Sequence, residues 1–162
     1  WNSPLREFMM SAGLYLAKAA GEIRLVSNDS HQQPELDYHL LDHPYDLERM
    51  RAGVRMQIEL GKHSAYKGIL KEVKDPLPED LESDETLDKW LLSRAQTMHH
   101  ISCTARMGAA DDPMAVTNQY GQVHGIEGLR IADLSIMPDC PRANTNSPAM
   151  MIGERIADFM SR

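Results

Sequence analysis

The sequence predicts an α+β fold, on three observations. Apolar residues recur at helical spacing in several separate stretches, two neighbouring segments alternate apolar and polar side chains, and turn residues separate these elements. Two short strands adjacent in sequence and joined by a polar loop suggest an antiparallel sheet.

In chain order, Ser3-Pro4 reads as a helix start, and the alanine-containing sequence after it predicts a helix that ends by Gly21. Ile23 and Leu25 then alternate with Glu22 and Arg24, the period of a half-buried strand. Beyond the turn-rich Asn28-Asp29-Ser30, Leu36, Tyr38 and Leu40 alternate with Asp37 and His39 and predict a second strand. From Asp46 the period becomes helical, with Leu47, Met50, Val54 and Ile58 on one face and Glu48, Arg51 and Arg55 elsewhere. Residues 72–85 are acidic and contain two prolines, which reads as a solvated connection. Ser83 offers an N-cap for a helix burying Leu87, Trp90 and Leu91. Beyond Thr97, short apolar runs between glycines, prolines and asparagines predict strands and shaped loops. A last helix follows Ser147-Pro148, with Ala149, Ile152, Ile156 and Phe159 at helical spacing.

Composition excludes several classes of function. A length of 162 residues suffices for one domain with a core, or for a piece of something larger. Seventeen basic against 24 acidic residues give a formal charge of −7, and no Lys/Arg cluster interrupts it, so nucleic acid is not an expected partner. The longest apolar runs fall far short of the ~20 residues of a membrane helix, and no signal peptide is legible. Cys103 and Cys140 make no disulfide framework, and reduced thiols in a cytoplasmic protein are the expectation. The triplet Asn28-Asp29-Ser30 fits a glycosylation acceptor, a match so short that chance supplies it often.

Three segments of the last third are more specific. They are His100-Ile101-Ser102-Cys103-Thr104-Ala105-Arg106-Met107-Gly108, the run from Val123 to Pro138 that contains Gly125, Gly128, Arg130, Asp133 and Ser135, and Asn144-Thr145-Asn146-Ser147-Pro148 leading into Gly153-Glu154-Arg155. In this order and spacing they resemble the C-terminal signature of glucose–methanol–choline oxidoreductases, which runs His-x-x-Gly-Thr-x-x-Met-Gly, then Val-x-Gly-x-x-Gly-Leu-Arg-Val-x-Asp-x-Ser-x-x-Pro, then Asn-x-Asn or His-x-x before a helix. The resemblance is strong over residues 100–160 and weaker over 21–55, through Gly21 to Leu25, Pro34 and Asp46. The choline-dehydrogenase-like branch is the most similar. One departure is Cys103, where the family usually has glycine.

The resemblance implies hydride transfer from an alcohol carbon to the N5 of FAD, with a base taking the hydroxyl proton. An imidazole suits that task at neutral pH. By position in the motif His100 is the base, and Asn144 is the second active-site group, able to hydrogen-bond the alcohol or the developing alkoxide. Motif spacing to Thr104 and Gly108 selects His100 over its neighbour His99. The resemblance further places Asp133, Ala132, Thr145, Asn146 and Pro148 near the cofactor, with the helix N-terminus facing the electron-rich edge of the flavin. It assigns residues 1–105 to the substrate-binding domain, with a largely antiparallel sheet and flanking helices, and 106–162 to a segment that completes the flavin domain.

Plainer readings stand beside these. Asn146 reads as a turn or cap residue, His124 as a loop-shaping one, and the eleven methionines as core filling. His99, His100, Cys103 and Cys140 lack the spacing of a metal site, and no metal is expected. The Gly-x-Gly-x-x-Gly turn that holds the FAD pyrophosphate in the family is absent, since no two glycines here are separated by a single residue. The chain is therefore expected to be an isolated C-terminal domain or one part of a larger enzyme, with a missing FAD-binding segment as partner. Alone it should be inactive and prone to self-association through uncovered apolar surface. A non-catalytic binding or assembly module, or a non-redox lyase of the same family, is the alternative.

Overall fold

The computed structural model describes residues 8–162; the helix start expected at Ser3-Pro4 lies outside the described residues. Within the remainder of that stretch, residues 8–20 form no helix. The reason is a competing acceptor. The buried carboxylate of Asp46 takes the amide of Lys18 at 2.8 and 3.0 Å and that of Ala19 at 2.7 Å, donors that a helix would have directed at its own carbonyls. Leu16, at φ 53°, breaks helical geometry as well.

Strands β1 (Glu22–Arg24) and β2 (Glu35–Asp37) form a two-stranded antiparallel ribbon. Both are shorter than their alternation predicts, and the left-handed backbone of His39 (φ 46°) and Leu41 (φ 64°) bends the chain soon after β2. The expected half-buried face is not formed: Ile23, Leu25 and Leu36 are 52, 85 and 49 % exposed. Gly21 is required where the chain enters β1, because a Cβ there would run into the carbonyl oxygen of Asp37.

The described residues fall into two compact units. One comprises residues up to 14, 18–22 and 36–96; the other 15–17, 23–35 and 97–162. In the first unit, α1 (Pro44–Gly61) starts at His43, whose Nδ1 accepts from the Tyr45 amide, with proline at the first helical position. α2 (Asp84–Arg94) is capped reciprocally by Ser83 and Thr86, each side chain taking the other's amide at 3.1 Å. The apolar stripes of the two helices meet at Val54, Leu87 and Leu91, with Leu47, Met50, Ile58 and Trp90 packed around them. Each such buried side chain contributes roughly 1.5–3 kcal/mol. Arg51 and Arg55 both reach Asp84 at 2.7 Å. The acidic stretch before α2 is solvent-exposed along most of its length, as expected, but it is not loose. Asp75 accepts from Trp90 Nε1 at 2.7 Å and Pro76 is buried, so the segment is fastened to α2.

In the second unit the strands expected beyond Thr97 are reduced to isolated bridges, Met107–Thr117, Thr117–Val123 and Gln122–Arg130. Gly121, Gly125 and Gly128 all have positive φ and reverse the chain too often for a longer strand to run. The amides of Cys103, Ala105 and Met107 donate to the carbonyls of Leu134, Ser135 and Ile136 at 3.2, 2.9 and 2.8 Å, which lashes the 103–107 segment to a 3₁₀ turn at Leu134–Ile136. α3 (Asn146–Met160) buries Ile152 and Ile156 against Ile136, with Met107, Ile131 and Phe159 around them. The α+β class holds, with a sheet of only two strands among the described residues.

Candidate active site

The second unit brings His100, Asn144 and Thr145 together. His100 Nδ1 lies 3.0 Å from Thr145 Oγ1, in a partly buried contact. Nε2 of the same ring has no hydrogen-bond partner among the described residues, so one nitrogen is anchored and the other is available to a ligand. His99, by contrast, is exposed, and its amide donates to Thr97 Oγ1. The two histidines differ not by strand alternation, as an extended reading would have it, but because His99 adopts φ 61° and turns the chain between them.

Asn144 Oδ1 accepts from the Tyr15 hydroxyl at 2.8 Å, and the Tyr15 ring lies against the His100 imidazole at 6.1 Å between centroids and 26° between planes. Tyr15 carries no signal in the sequence, where it falls inside the stretch read as a helix. Only the folded chain joins residues 129 positions apart.

Thr145 is the N-cap of α3, yet its side chain makes no cap hydrogen bond. It is 4 % exposed and its hydroxyl is turned to His100 instead. The first turn of this 15-residue helix, Asn146 and Ser147, therefore has no capping side chain among the described residues, and both residues are exposed. Helix and cap both begin earlier than the sequence predicts: Asn146 is the first helical residue rather than the cap, and Pro148 sits half-buried in the first turn.

Asp133 caps the 3₁₀ turn, accepting from the Ser135 amide at 2.8 Å. Its exposed carboxylate lines an open groove of about 400 Å³ together with Ser102, Thr104, Ser135 and Ala149. Ala132 faces elsewhere, onto a second groove of about 680 Å³ with Ile126, Leu129 and Met160 among its walls. His124 shapes a loop, its Nε2 3.2 Å from the Gly108 carbonyl. Burial pushes both thiols up from their ordinary range; Ser102 Oγ, 3.1 Å from Cys103 Sγ, acts against this, and the charge of Asp139 adds to it at Cys140. Among the described residues no group of three or more His, Cys, Asp or Glu side chains is placed to hold a metal ion, and no helix is long and apolar enough to cross a membrane.

Residues 17–153 match the sequence model of the GMC oxidoreductase family. The chain belongs to that family. It is 37 % identical over 164 aligned residues to the oxygen-dependent choline dehydrogenase of Stenotrophomonas maltophilia, covering 98 % of this chain and 29 % of that protein. It is 38 % identical to the 5-(hydroxymethyl)furfural oxidase of a Methylovorus species, covering 86 % of this chain and 28 % of the relative. Among solved structures, formate oxidase of Aspergillus oryzae superposes with a TM-score of 0.79 at 31 % identity, covering 90 % of this chain and 25 % of that one. The GMC chain thus spans under a third of the length of the curated relatives it matches.

A flavin is the cofactor that the family implies, and the donors present fit one. The uncapped amides at the start of α3 suit an electron-rich carbonyl edge, because they are oriented, exposed and backed by the partial positive end of the helix. His100 stands beside them through Thr145.

Proposed function

We propose that this GMC chain supplies the catalytic and substrate-facing part of an FAD-dependent alcohol oxidoreductase, with His100 as the base and Asn144 as the donor to the reacting oxygen. The observation that carries the reading is the cluster of His100, Thr145, Asn144 and Tyr15 at the uncapped start of α3. When bound, the flavin supplies the two-electron acceptor for the hydride of the alcohol carbon. The protein residues manage the proton. If His100 Nδ1–H donates to Thr145, Nε2 carries the lone pair and accepts the hydroxyl proton, and Asn144 Nδ2 donates to the oxygen as negative charge grows on it. Thr145, Asn146 and Pro148 form the cofactor-facing turn; Asp133 lies on the groove that Ala149 also lines, and Ala132 on the second groove, which Ile156 and Met160 of α3 border.

In this reading, residues 1–105 serve substrate binding, 106–162 complete the flavin domain, and the rest of the flavin contacts come from a partner segment. Free thiols at Cys103 and Cys140 fit a reducing, cytoplasmic setting. Two of the relatives are named for compounds bearing a hydroxymethyl group, choline and 5-(hydroxymethyl)furfural, and a primary alcohol is the proposed substrate. The test is anaerobic mixing of the flavin-loaded enzyme with a panel of primary alcohols. Bleaching of the oxidised flavin by at least one of them is expected. An inert flavin across the panel, with cleavage of a cyanohydrin instead, would move the assignment to a lyase.

A further inference from the structure

We infer that Tyr15 is a positioning residue for this site, fixing which end of the Asn144 carboxamide meets the substrate while bracing the His100 ring. The inference rests on the roles proposed above for His100 and Asn144 and extends them to a side chain outside every motif. Its basis is a pair of contacts made by one residue: the phenol donates to Asn144 Oδ1 at 2.8 Å, and the ring flanks the imidazole at 6.1 Å and 26°.

A carboxamide has two chemically opposite ends that differ little in shape, and rotation exchanges them. Asn144 is exposed, so packing does not hold its orientation. With Oδ1 engaged by a hydroxyl donor, Nδ2 is the end left for a ligand, and a developing alkoxide needs a donor. Without that donor the carboxamide could present its oxygen, which repels an alkoxide. The ring contact acts on the second group. Thr145 fixes His100 at Nδ1 alone, a single pivot, and the offset near-parallel face of Tyr15 limits rotation about it.

Tyr15→Phe in the flavin-loaded enzyme separates the two contacts, because it removes the hydroxyl and keeps the ring. With choline and 5-(hydroxymethyl)furfural as probes, the rate of flavin reduction should fall about tenfold, with the pH midpoint assigned to the base unmoved. Tyr15→Ala, which removes the ring as well, should fall further. The deciding comparison is the double variant: Tyr15→Phe added to Asn144→Ala should cost nothing beyond Asn144→Ala alone. Full additivity, a wild-type rate for Tyr15→Phe, or loss of flavin from that variant would each overturn the inference. If Asn144→Ala and His100→Ala both reduce flavin at the wild-type rate, the reading of the site itself fails, which is a different result.

Discussion

Cys103 holds a backbone conformation, φ 72°, that costs an L-residue roughly 1–2 kcal/mol and glycine almost nothing. This explains the one departure from the family signature in physical terms. The signature has glycine there because the chain must turn left-handed between His100 and the segment lashed to the 134–136 carbonyls. Cysteine bears the strain and recovers part of it by burying a thiol against Ser102. A β-branched residue would bear more, so Cys103→Val should be less stable than Cys103→Gly by about 1–3 kcal/mol, read from urea unfolding of the flavin-loaded protein. Equal stabilities would show that the turn relaxes. At this scale motif spacing names His100 and Asn144 as candidates, and the fold brings both against Tyr15. Tyr15 itself was not legible, since its partners are distant in sequence and no local pattern marks a residue whose role is a tertiary hydrogen bond.

Among the elements, α1, α2 and α3 follow from apolar spacing and, for α2, from the Ser83 cap, and each stripe packs as its period requires. Over residues 8–20 no helix forms, because spacing does not reveal a competitor: Asp46 on α1 takes the amides of Lys18 and Ala19. Asp46→Ala should therefore strand two amides and cost roughly 3 kcal/mol by denaturant titration. A loss below about 0.5 kcal/mol would mean that these amides find water readily. The α1–α2 pair also carries an acid-sensitive contact. The hydrogen bond from Arg55, with the charge of Arg51 beside it, holds the Asp84 carboxyl below the usual carboxylate range against an opposing effect of desolvation. A lowered folded-state pKa gives stability that is present above the unfolded value and is lost as pH falls through the folded one. Stability should thus decline below about pH 4, and Asp84→Asn should flatten that decline while lowering stability at neutral pH. An unchanged acid limb in the variant would assign the loss to other carboxylates.

For the whole molecule, the chain spans 29 % of the choline dehydrogenase relative; the family was legible from the motifs of residues 100–160, and the fold class from helical and alternating periods along the chain. The reduced sheet was not, because alternation predicts a strand's faces without saying what will cover them. Ile126, Leu129 and Met160 remain 55, 48 and 68 % exposed around the larger groove. The chain purified alone should therefore be colourless, lack alcohol turnover, and elute as a concentration-dependent oligomer in size-exclusion chromatography. A yellow, monomeric chain would show that these residues hold flavin unaided.

The most direct test of the account is the rate of anaerobic flavin reduction by choline or 5-(hydroxymethyl)furfural in the flavin-loaded enzyme, wild type against His100→Ala. A fall of about 10²–10⁴-fold with flavin content unchanged is the predicted result. Retention of the wild-type rate would contradict the assignment of His100 as the base, and with it the functional reading of the site.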